Sequence, residues 1–198
     1  MGKISKKNDE DLAAEAAKDS RSAFEMLVKR YSGKLYLFIN RVIKSHDESL
    51  DILQDIFIKA YRNISRFNNR WKFSTWIYTI ASREISSYFR KISAKKRNIP
   101  LEGNIVTENP EDTFFKGETG NIWELAKKLK PAWYNILWLK YSEGMSNIEI
   151  ATITGRSAIS VRVTLHRSRK YLADLYRMEE LQELSAISGN RESSFIKE

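Results

Sequence analysis

Apolar side chains recur every three or four residues along most of this chain, the spacing that places them on one face of an α-helix. In the amino-terminal half the pattern predicts three long helices, at about residues 22–42, 47–65 and 73–92. Ser22 and Glu25 have the spacing of a capping box at the start of the first helix. The predicted core stripe of the second helix consists of Leu50, Leu53, Phe57, Ala60, Tyr61 and Ile64. That of the third consists of Phe73, Trp76, Ile77, Ile80, Ala81, Ile85, Tyr88, Phe89 and Ile92.

The helical periodicity stops at about residue 93 and returns at about residue 121. Pro100 and Pro110 lie in this interval with three glycines, and its basic flanks enclose an acidic centre. This composition is typical of an extended, solvated linker. Four shorter helical patterns follow, at about residues 121–129, 132–141, 147–153 and 158–177, and no alternating strand pattern competes with them.

The predicted fold class is therefore all-α, with two small helical domains joined by a flexible linker. The predicted domains span residues 22–93 and 121–178, and the linker spans residues 94–120. Residues 1–21 form an amino-terminal extension, and residues 179–198 a polar carboxyl-terminal tail. Each lobe is small enough to bury only about 60% of its unfolded surface, so partner binding is expected.

The charge balance favours a polyanionic partner, since 34 Lys and Arg oppose 25 Asp and Glu for a net charge of +9. The absence of cysteine excludes disulfides and thiolate metal sites, and His46 and His166 are the only imidazoles. We therefore predict neither a metal nor a cofactor. No run of about 18 apolar residues occurs, and the amino terminus lacks the apolar core of a secretory signal. A cytoplasmic protein without membrane insertion is expected.

Residues 146–170 have the pattern of a helix-turn-helix. Ala151 lies four residues before Gly155, which suits a close helix approach followed by a tight turn. Val161 and Leu165 then supply the inward face of the second helix. Thr154 and Arg156 flank the glycine where apolar residues are usual in such a turn. An ordinary helical hairpin with a solvated basic face is the alternative.

The outward face of that second helix is predicted to read DNA. No acidic residue lies between Ile150 and Ala173, whereas five Arg or Lys do. Such a helix can enter a major groove, with side chains near its amino end on base edges and later basic ones on phosphates. The candidate residues are Arg156, Ser157, Ser160, Arg162, Val163, Thr164 and Arg167.

Residues 66–97 combine aromatic rings with Arg, Asn, Ser and Thr and end in a basic cluster. Rings stack on unpaired bases and cationic groups follow the backbone, so this segment is suited to single-stranded nucleic acid. The alternative is that Trp76, Ile77 and Ile80 are simply core, which we expect for the two isoleucines. Trp71 lies in a polar stretch before the helix, where exposure is expected.

The second predicted helix carries Asp47, Asp51 and Asp55 at helical spacing, with Gln54 beside them. We interpret this acidic face as a protein-docking surface rather than a metal site. A solvated face that contacts nothing is the alternative.

In the order of these parts, the chain resembles the extracytoplasmic-function (ECF) group of the sigma-70 family of RNA polymerase sigma factors. The likeness covers about residues 22–175. It is carried by the segments AFEMLVKRYSGKLYLFI, LDILQDIFIKAYRNISRF, FSTWIYTIAS and YSEGMSNIEIATITG with VRVTLHRSRKYL. Each segment alone is a loose match, but four in this order, with a linker between, make coincidence improbable.

The resemblance implies that the first lobe binds the clamp helices of the β′ subunit of core RNA polymerase, chiefly through Asp51, Gln54 and Asp55. It also implies that this lobe opens the minus-ten element of promoter DNA and captures a flipped base in a loop. That loop contains Asn68, Asn69, Arg70 and Trp71. The path of the non-template strand would be lined by Thr75, Trp76, Thr79, Arg83 and Arg90.

The second lobe would read the minus-thirty-five element and contact the β flap, with the linker near the RNA exit channel. An anti-sigma factor is a further implied partner. Arg83, Ser87, Thr79 and Thr164 depart from the residues usual at their positions in the family. These departures leave the promoter sequence open, since Arg at the position of Thr164 would add a contact worth about 1–3 kcal/mol.

Two other functions fit parts of the pattern. A stand-alone transcriptional regulator would need the helix-turn-helix but not the aromatic segment beside an acidic docking helix. A nucleic-acid enzyme would need a divalent metal on Asp47, Glu48, Asp51 and Asp55, but no Lys, His or glycine-rich loop converges with them in a recognisable motif. Unchanged thermal stability on adding metal would argue against the enzyme.

Overall fold

The computed structural model describes residues 7–68, 70–97 and 120–192, and within these ranges the regular structure is helical, without strands. The first lobe contains four α-helices and a short 3₁₀ helix at Ile64–Arg66. Its α-helices are α1 (Asp9–Ala16), α2 (Arg21–Ile43), α3 (His46–Asn63) and α4 (Phe73–Arg97). The second lobe consists of α5 (Gly120–Ala126), α6 (Pro131–Tyr141), α7 (Asn147–Thr154) and α8 (Ala158–Glu192). The all-α class is confirmed.

Helix α1 lies in the predicted amino-terminal extension and was not predicted as a helix. The Asn8 side chain caps it by accepting a hydrogen bond from the backbone N–H of Asp11. Leu12 and two alanines on one face of α1 are buried in the first lobe. The Glu10 carboxylate accepts a hydrogen bond from the backbone N–H of Phe73 at 3.0 Å, at the start of α4. The extension is therefore a structural part of the lobe that holds α4.

The predicted capping box at Ser22 and Glu25 is wrong, because α2 starts two residues earlier than that prediction requires. Ser20 is the N-cap, and its hydroxyl accepts a hydrogen bond from the backbone N–H of Ala23. Glu25 instead pairs with Arg21 one turn before it on the exposed surface of the helix.

The buried face of α3 differs from the predicted stripe. Leu50 and Tyr61 are 43% and 48% exposed, whereas Ile52 and Ile56 are buried. Apolar residues occupy adjacent faces of this helix, and periodicity alone could not tell which of them meets α2 and α4. The fully buried Ser49 belongs to the true inner face, where its hydroxyl donates to the Ser45 carbonyl at 2.6 Å and lies 3.2 Å from the Asn40 side-chain oxygen.

Along α4, Phe73, Ile77, Ala81 and Ile85 are buried as predicted, whereas Phe89 is 42% exposed. A second set of buried residues on α4, which includes Thr75 and Tyr78, was not predicted as core. Thr75 is covered by α7 of the second lobe, whereas Tyr78 contacts Phe38 of α2 and Trp138 of α6.

The second lobe folds around the buried side chains of Trp138, Leu139, Ile150, Val161 and Leu165. Its last helix continues to Glu192, through much of the segment predicted as a polar tail. Good helix formers such as Glu, Leu, Met and Gln dominate residues 178–184, so propensity extends the helix there. Most of the predicted linker, residues 98–119, lies outside the described residues.

The two lobes share one continuous buried cluster. Aromatic rings connect them, beginning with an edge contact between Phe38 and Tyr78 at 5.1 Å between ring centroids. The indole N–H of Trp138 then donates to the Tyr78 hydroxyl at 3.5 Å, a long hydrogen bond. Trp123 packs on the far side of Trp138 at 5.4 Å.

Candidate nucleic-acid and polymerase interfaces

Helices α7 and α8 form the predicted helix-turn-helix. A reciprocal capping box between Ser146 and Glu149 starts α7. Gly155 ends α7 in the left-handed region, with φ of 65°, which a residue without Cβ adopts at little cost. Ser157 then accepts a hydrogen bond from the backbone N–H of Ser160 at 3.1 Å, in the first turn of α8.

The inward side of this motif is confirmed, because Val161 is fully buried and Leu165 is 4% exposed. The polar residues around the turn have local partners or face solvent. The Thr154 hydroxyl donates to the Ile150 carbonyl at 2.7 Å, and Arg156 is exposed.

The predicted exposure is confirmed at Arg156 and Ser157, which precede α8, and at Arg162 and Arg167 on its outward side, while Ser160 is half-buried. With three arginines among them, these residues give the helix-turn-helix an exposed basic face.

The prediction that Thr164 lies on the outward face is wrong. Its side chain is only 7% exposed, and its hydroxyl donates to the Ser160 carbonyl at 2.9 Å. Thr164 lies three residues after Val161 and one before Leu165, so it falls on the inward face. The arrangement exposes Ile159 and His166 instead, which the sequence analysis did not select. Both residues lie in the acid-free stretch and next to predicted DNA-binding positions, which is the sequence feature that could have identified them.

The loop before α4 presents the predicted base-capture residues to solvent. Asn68, Arg70 and Trp71 are exposed, Trp71 by 54%, as predicted for it. The backbone N–H of Trp71 donates to the Asn68 carbonyl, and that of Arg70 to the Asn68 side chain, both at 3.0 Å. Asn68 therefore also shapes the turn that carries the indole. Asn69 lies outside the described residues.

Along α4, Arg83 and Arg90 are exposed, while Trp76 and Thr79 are half-buried. The Thr79 hydroxyl donates to the Thr75 carbonyl, and Thr75 is only 3% exposed. Thr75 is covered by the second lobe and does not line an open surface in this arrangement.

A surface cleft beside this face was not predicted. It is lined by polar and basic groups of α3 and the 3₁₀ helix, together with Trp76, Ile80, Arg83 and Glu84 on α4, and the Glu84 carboxylate is ion-paired with the Lys59 ammonium. The added residues are Lys59, Asn63 and Arg66. The signal in the sequence was the spacing of Lys59 and Asn63, one helical turn apart. Arg66 and Arg83 next to the Trp76 ring suit a nucleic-acid backbone with stacked bases.

The acidic face of α3 is exposed as predicted at Asp51, Gln54 and Asp55. Leu50 and Ile58 are exposed on the same helix, so apolar area adjoins the charges. This combination suits a protein partner better than bare solvent. In the part of the chain that the structure describes, no group of three or more His, Asp or Glu could hold a metal ion.

Two pKa shifts fix the protonation of groups near the boundary between the lobes. Burial, strongest of the causes, raises the pKa of Tyr78 well above its ordinary value, so its hydroxyl stays neutral. Burial alone would raise the pKa of Glu149 as well. Hydrogen bonds from Ser146 and the ion pair with Lys72 outweigh it, so the pKa of Glu149 lies below its ordinary value.

Each of the two lobes matches a family of known proteins. The family model of sigma-70 region 2 matches residues 27–95, in the first lobe, and that of sigma-70 region 4 matches residues 120–172, in the second. The ECF RNA polymerase sigma factor SigW of Bacillus subtilis (strain 168) is 32% identical over 167 residues, which cover 78% of this chain and 89% of SigW. The ECF RNA polymerase sigma-E factor of Escherichia coli (strain K12) is 30% identical, over 82% of this chain and 91% of the relative.

Among solved structures, the sigma factor RpoE from Bartonella quintana, in complex with the anti-sigma factor NepR, has a TM-score of 0.64 at 20% identity. The match covers 78% of this chain and 96% of that one. This likeness concerns the fold of the chain.

A helix-turn-helix lobe joined to a lobe with aromatic and acidic surfaces defines a DNA-binding transcription protein. The chain belongs to the sigma-70 family, in its ECF group, and is a sigma factor that directs promoter-specific transcription initiation. The resemblance drawn from the sequence is thus confirmed. Within the described residues, none of the helices is both long and apolar enough to cross a lipid bilayer.

Proposed function

We propose that the two lobes divide the work of initiation between separate surfaces. The first lobe docks on the clamp helices of core RNA polymerase through Asp51, Gln54 and Asp55. The assignment of the second lobe to duplex DNA is carried by the exposed basic face of α8, the second helix of a helix-turn-helix whose first helix is capped at both ends.

In the first lobe, the loop residues Asn68, Asn69, Arg70 and Trp71 capture an unstacked base of the minus-ten element. The exposed indole of Trp71 supports this, since a base gains a stacking partner there. The strand then follows Arg83 and Arg90 along α4, passing Trp76 and Thr79 and the cleft formed with Arg66.

In the second lobe, Arg156, Ser157, Arg162 and Arg167 read or anchor the minus-thirty-five element, with Ser160 at the edge of the contact. Ser157 and Arg162 lie near the amino end of α8, where side chains reach base edges in this type of motif. Arg167 lies further along and is placed for a phosphate. Exposed Ile159 adds an apolar group that can meet a thymine methyl.

We infer a binding factor that acts in the cytoplasm beside the polymerase and performs no catalysis of its own. The residues on the two surfaces are suited to protein docking and DNA contact, and their chemistry requires no metal or cofactor. An anti-sigma factor is a further proposed partner, supported by the solved relative that was captured with one.

The division of labour is testable with two variants and a control. Asp51→Arg with Gln54→Ala should weaken binding to core polymerase in size-exclusion chromatography and leave binding of the free chain to DNA nearly unchanged. Glu25→Arg, a charge reversal on α2 away from both surfaces, is the matched control and should behave as wild type. Equal loss of polymerase and DNA binding by the double variant would contradict the docking assignment.

For the second lobe, Arg162→Ala should weaken protection of the upstream element about five- to 150-fold, the loss expected for one good base contact of about 1–3 kcal/mol. Arg177→Ala, on the same helix but beyond the motif, should leave the footprint unchanged. An unaltered upstream footprint for Arg162→Ala would remove that residue from the reading face.

A further inference from the structure

Helix α4 begins at a position where its N-cap residue supplies no acceptor. The Lys72 carbonyl accepts the first hydrogen bond of the helix, from the backbone N–H of Trp76 at 3.2 Å, so Lys72 is the N-cap residue. Ser, Thr, Asp and Asn are favoured at this position because a side-chain oxygen can accept from a backbone N–H of the first turn. A lysine ammonium has only donors. The amino end of α4 therefore needs an acceptor from elsewhere in the chain.

Helix α1 supplies that acceptor. The Glu10 carboxylate accepts a hydrogen bond from the backbone N–H of Phe73 at 3.0 Å. Phe73 is the first residue of α4, so its N–H is one of those that the helix cannot pair internally. A negative charge at the amino end of a helix is also favoured by the helix dipole. Glu10 therefore acts as the capping acceptor of α4, although it lies 63 positions earlier in the chain.

A second acidic residue of α1 holds the Phe73 ring. That ring is buried and meets the Tyr31 ring edge to face, at 5.3 Å between centroids. The Tyr31 hydroxyl donates to the Asp9 carboxylate, which also pairs with Arg30. Burial, together with this hydrogen bond, raises the pKa of Tyr31, so the hydroxyl stays protonated and remains a donor. The first turn of α1 thus holds both the backbone and the ring of Phe73.

Phe73 is one of two anchors of the loop at residues 68–71, here called the base-capture loop. It lies two residues after Trp71, so a shift of Phe73 also shifts the indole. The other anchor is Phe67, whose backbone N–H donates to the Ile64 carbonyl at 3.0 Å and whose ring lies 5.8 Å from that of Phe73. The Trp71 side chain is more than half exposed, so its position depends on these anchors.

We propose that α1 positions the base-capture loop, and that the Glu10 carboxylate, by capping α4, fixes the place at which Trp71 meets an unstacked base. The inference rests on the proposed role of that loop in base capture. Glu10 acts through Phe73 and is a positioning residue. A loop already held in its binding geometry loses less freedom when it captures a base. The contribution of one N-cap corresponds to about a two- to 30-fold change in an equilibrium.

The first test is permanganate footprinting of promoter melting by core polymerase with the full chain. Glu10→Ala should reduce melting about two- to 30-fold and leave protection of the upstream element unchanged, because the second lobe makes that contact. Glu10→Gln keeps an acceptor oxygen and should retain most of the melting. Asp11→Ala removes an exposed carboxylate from the same turn of α1 and should match wild type. Equal melting with Glu10→Ala and Asp11→Ala would overturn the role of Glu10.

Combination with Trp71→Ala separates positioning from a general loss of stability. If Glu10 acts through the base-capture loop, Glu10→Ala should add little to the melting defect of Trp71→Ala, because the ring that it positions is absent. A loss of stability spread over the first lobe would instead add in full. Full additivity of the two defects would overturn the positioning role.

Hydrogen exchange at the Phe73 amide, followed by NMR in the free full-length chain, tests the cap without polymerase or DNA. Exchange should be about two- to 30-fold faster in Glu10→Ala than in wild type or Asp11→Ala. An unchanged rate would overturn the cap. Normal melting by Trp71→Ala would instead refute base capture, the proposed function on which the inference rests, while the exchange rate would still decide the cap.

Discussion

Two tryptophans with opposite environments separate function from stability in this chain. Trp71 is 54% exposed in the loop before α4, whereas Trp138 is 2% exposed between the lobes. Replacing Trp71 by Ala removes a ring available for base stacking, worth about 1–3 kcal/mol per base, and removes little buried area. We expect open-complex formation with core polymerase to weaken about five- to 150-fold, while the free energy of unfolding changes by about 0.5 kcal/mol or less.

Trp138→Ala is the reference for a structural role. It empties a buried site in contact with Tyr78 and Trp123, so the cost should be about 3–5 kcal/mol of stability. Denaturant unfolding measures stability, and permanganate footprinting on a promoter recovered from a fragment library measures melting. Trp71→Phe, which keeps a smaller ring, should retain part of the melting. A Trp71→Ala chain that melts promoters normally, or that unfolds as readily as Trp138→Ala, would refute the reasoning.

Three further predictions test local features. Thr164→Arg should destabilise the second lobe by several kcal/mol because it buries a charge, whereas Val163→Arg, at an exposed position, should not; thermal unfolding of both variants decides. Ser20→Ala removes an N-cap and should lower the free energy of unfolding by about 0.5–2 kcal/mol, more than Ser22→Ala does. A larger loss for Ser22→Ala in denaturant unfolding would instead support the cap predicted at Ser22. Because the pKa of Glu149 is lowered, the stability its charge contributes is complete above the ordinary value of 4.5 and is lost as pH falls through the lowered pKa; Glu149→Gln should flatten that acid dependence.

The sequence was sufficient to predict α2 to α7 and the start of α8, because periodic apolar residues identify a helix whatever it packs against. It was less informative about which side of a helix is buried. In α3 two neighbouring faces both carry apolar residues, and the one with Ile52 and Ile56 is buried because α2 and α4 meet it there. Helix α1 escaped prediction because one leucine and a few alanines provide its entire buried face.

For the candidate sites too, local features could be predicted and features that depend on tertiary packing could not. Residues assigned from local pattern, such as Val161 on the inward face and Trp71 in solvent, were confirmed in their environments. Thr164 was misplaced because a threonine beside exposed arginines looks polar, although its hydroxyl is satisfied by the preceding turn of its own helix. The cover over Thr75 depends on contact between residues 74 positions apart, which no local pattern reports.

The central claim is that this chain directs RNA polymerase to selected promoters through two separable surfaces. The most direct measurement is sequencing of transcripts made from a genomic fragment library by core polymerase with wild-type chain, with the Asp51→Arg, Gln54→Ala variant, and alone. The account predicts that wild type produces a defined set of start sites sharing two upstream elements, and that the variant produces the pattern of core polymerase alone. Start sites indistinguishable from those of core polymerase alone, made with a folded wild-type chain, would contradict it.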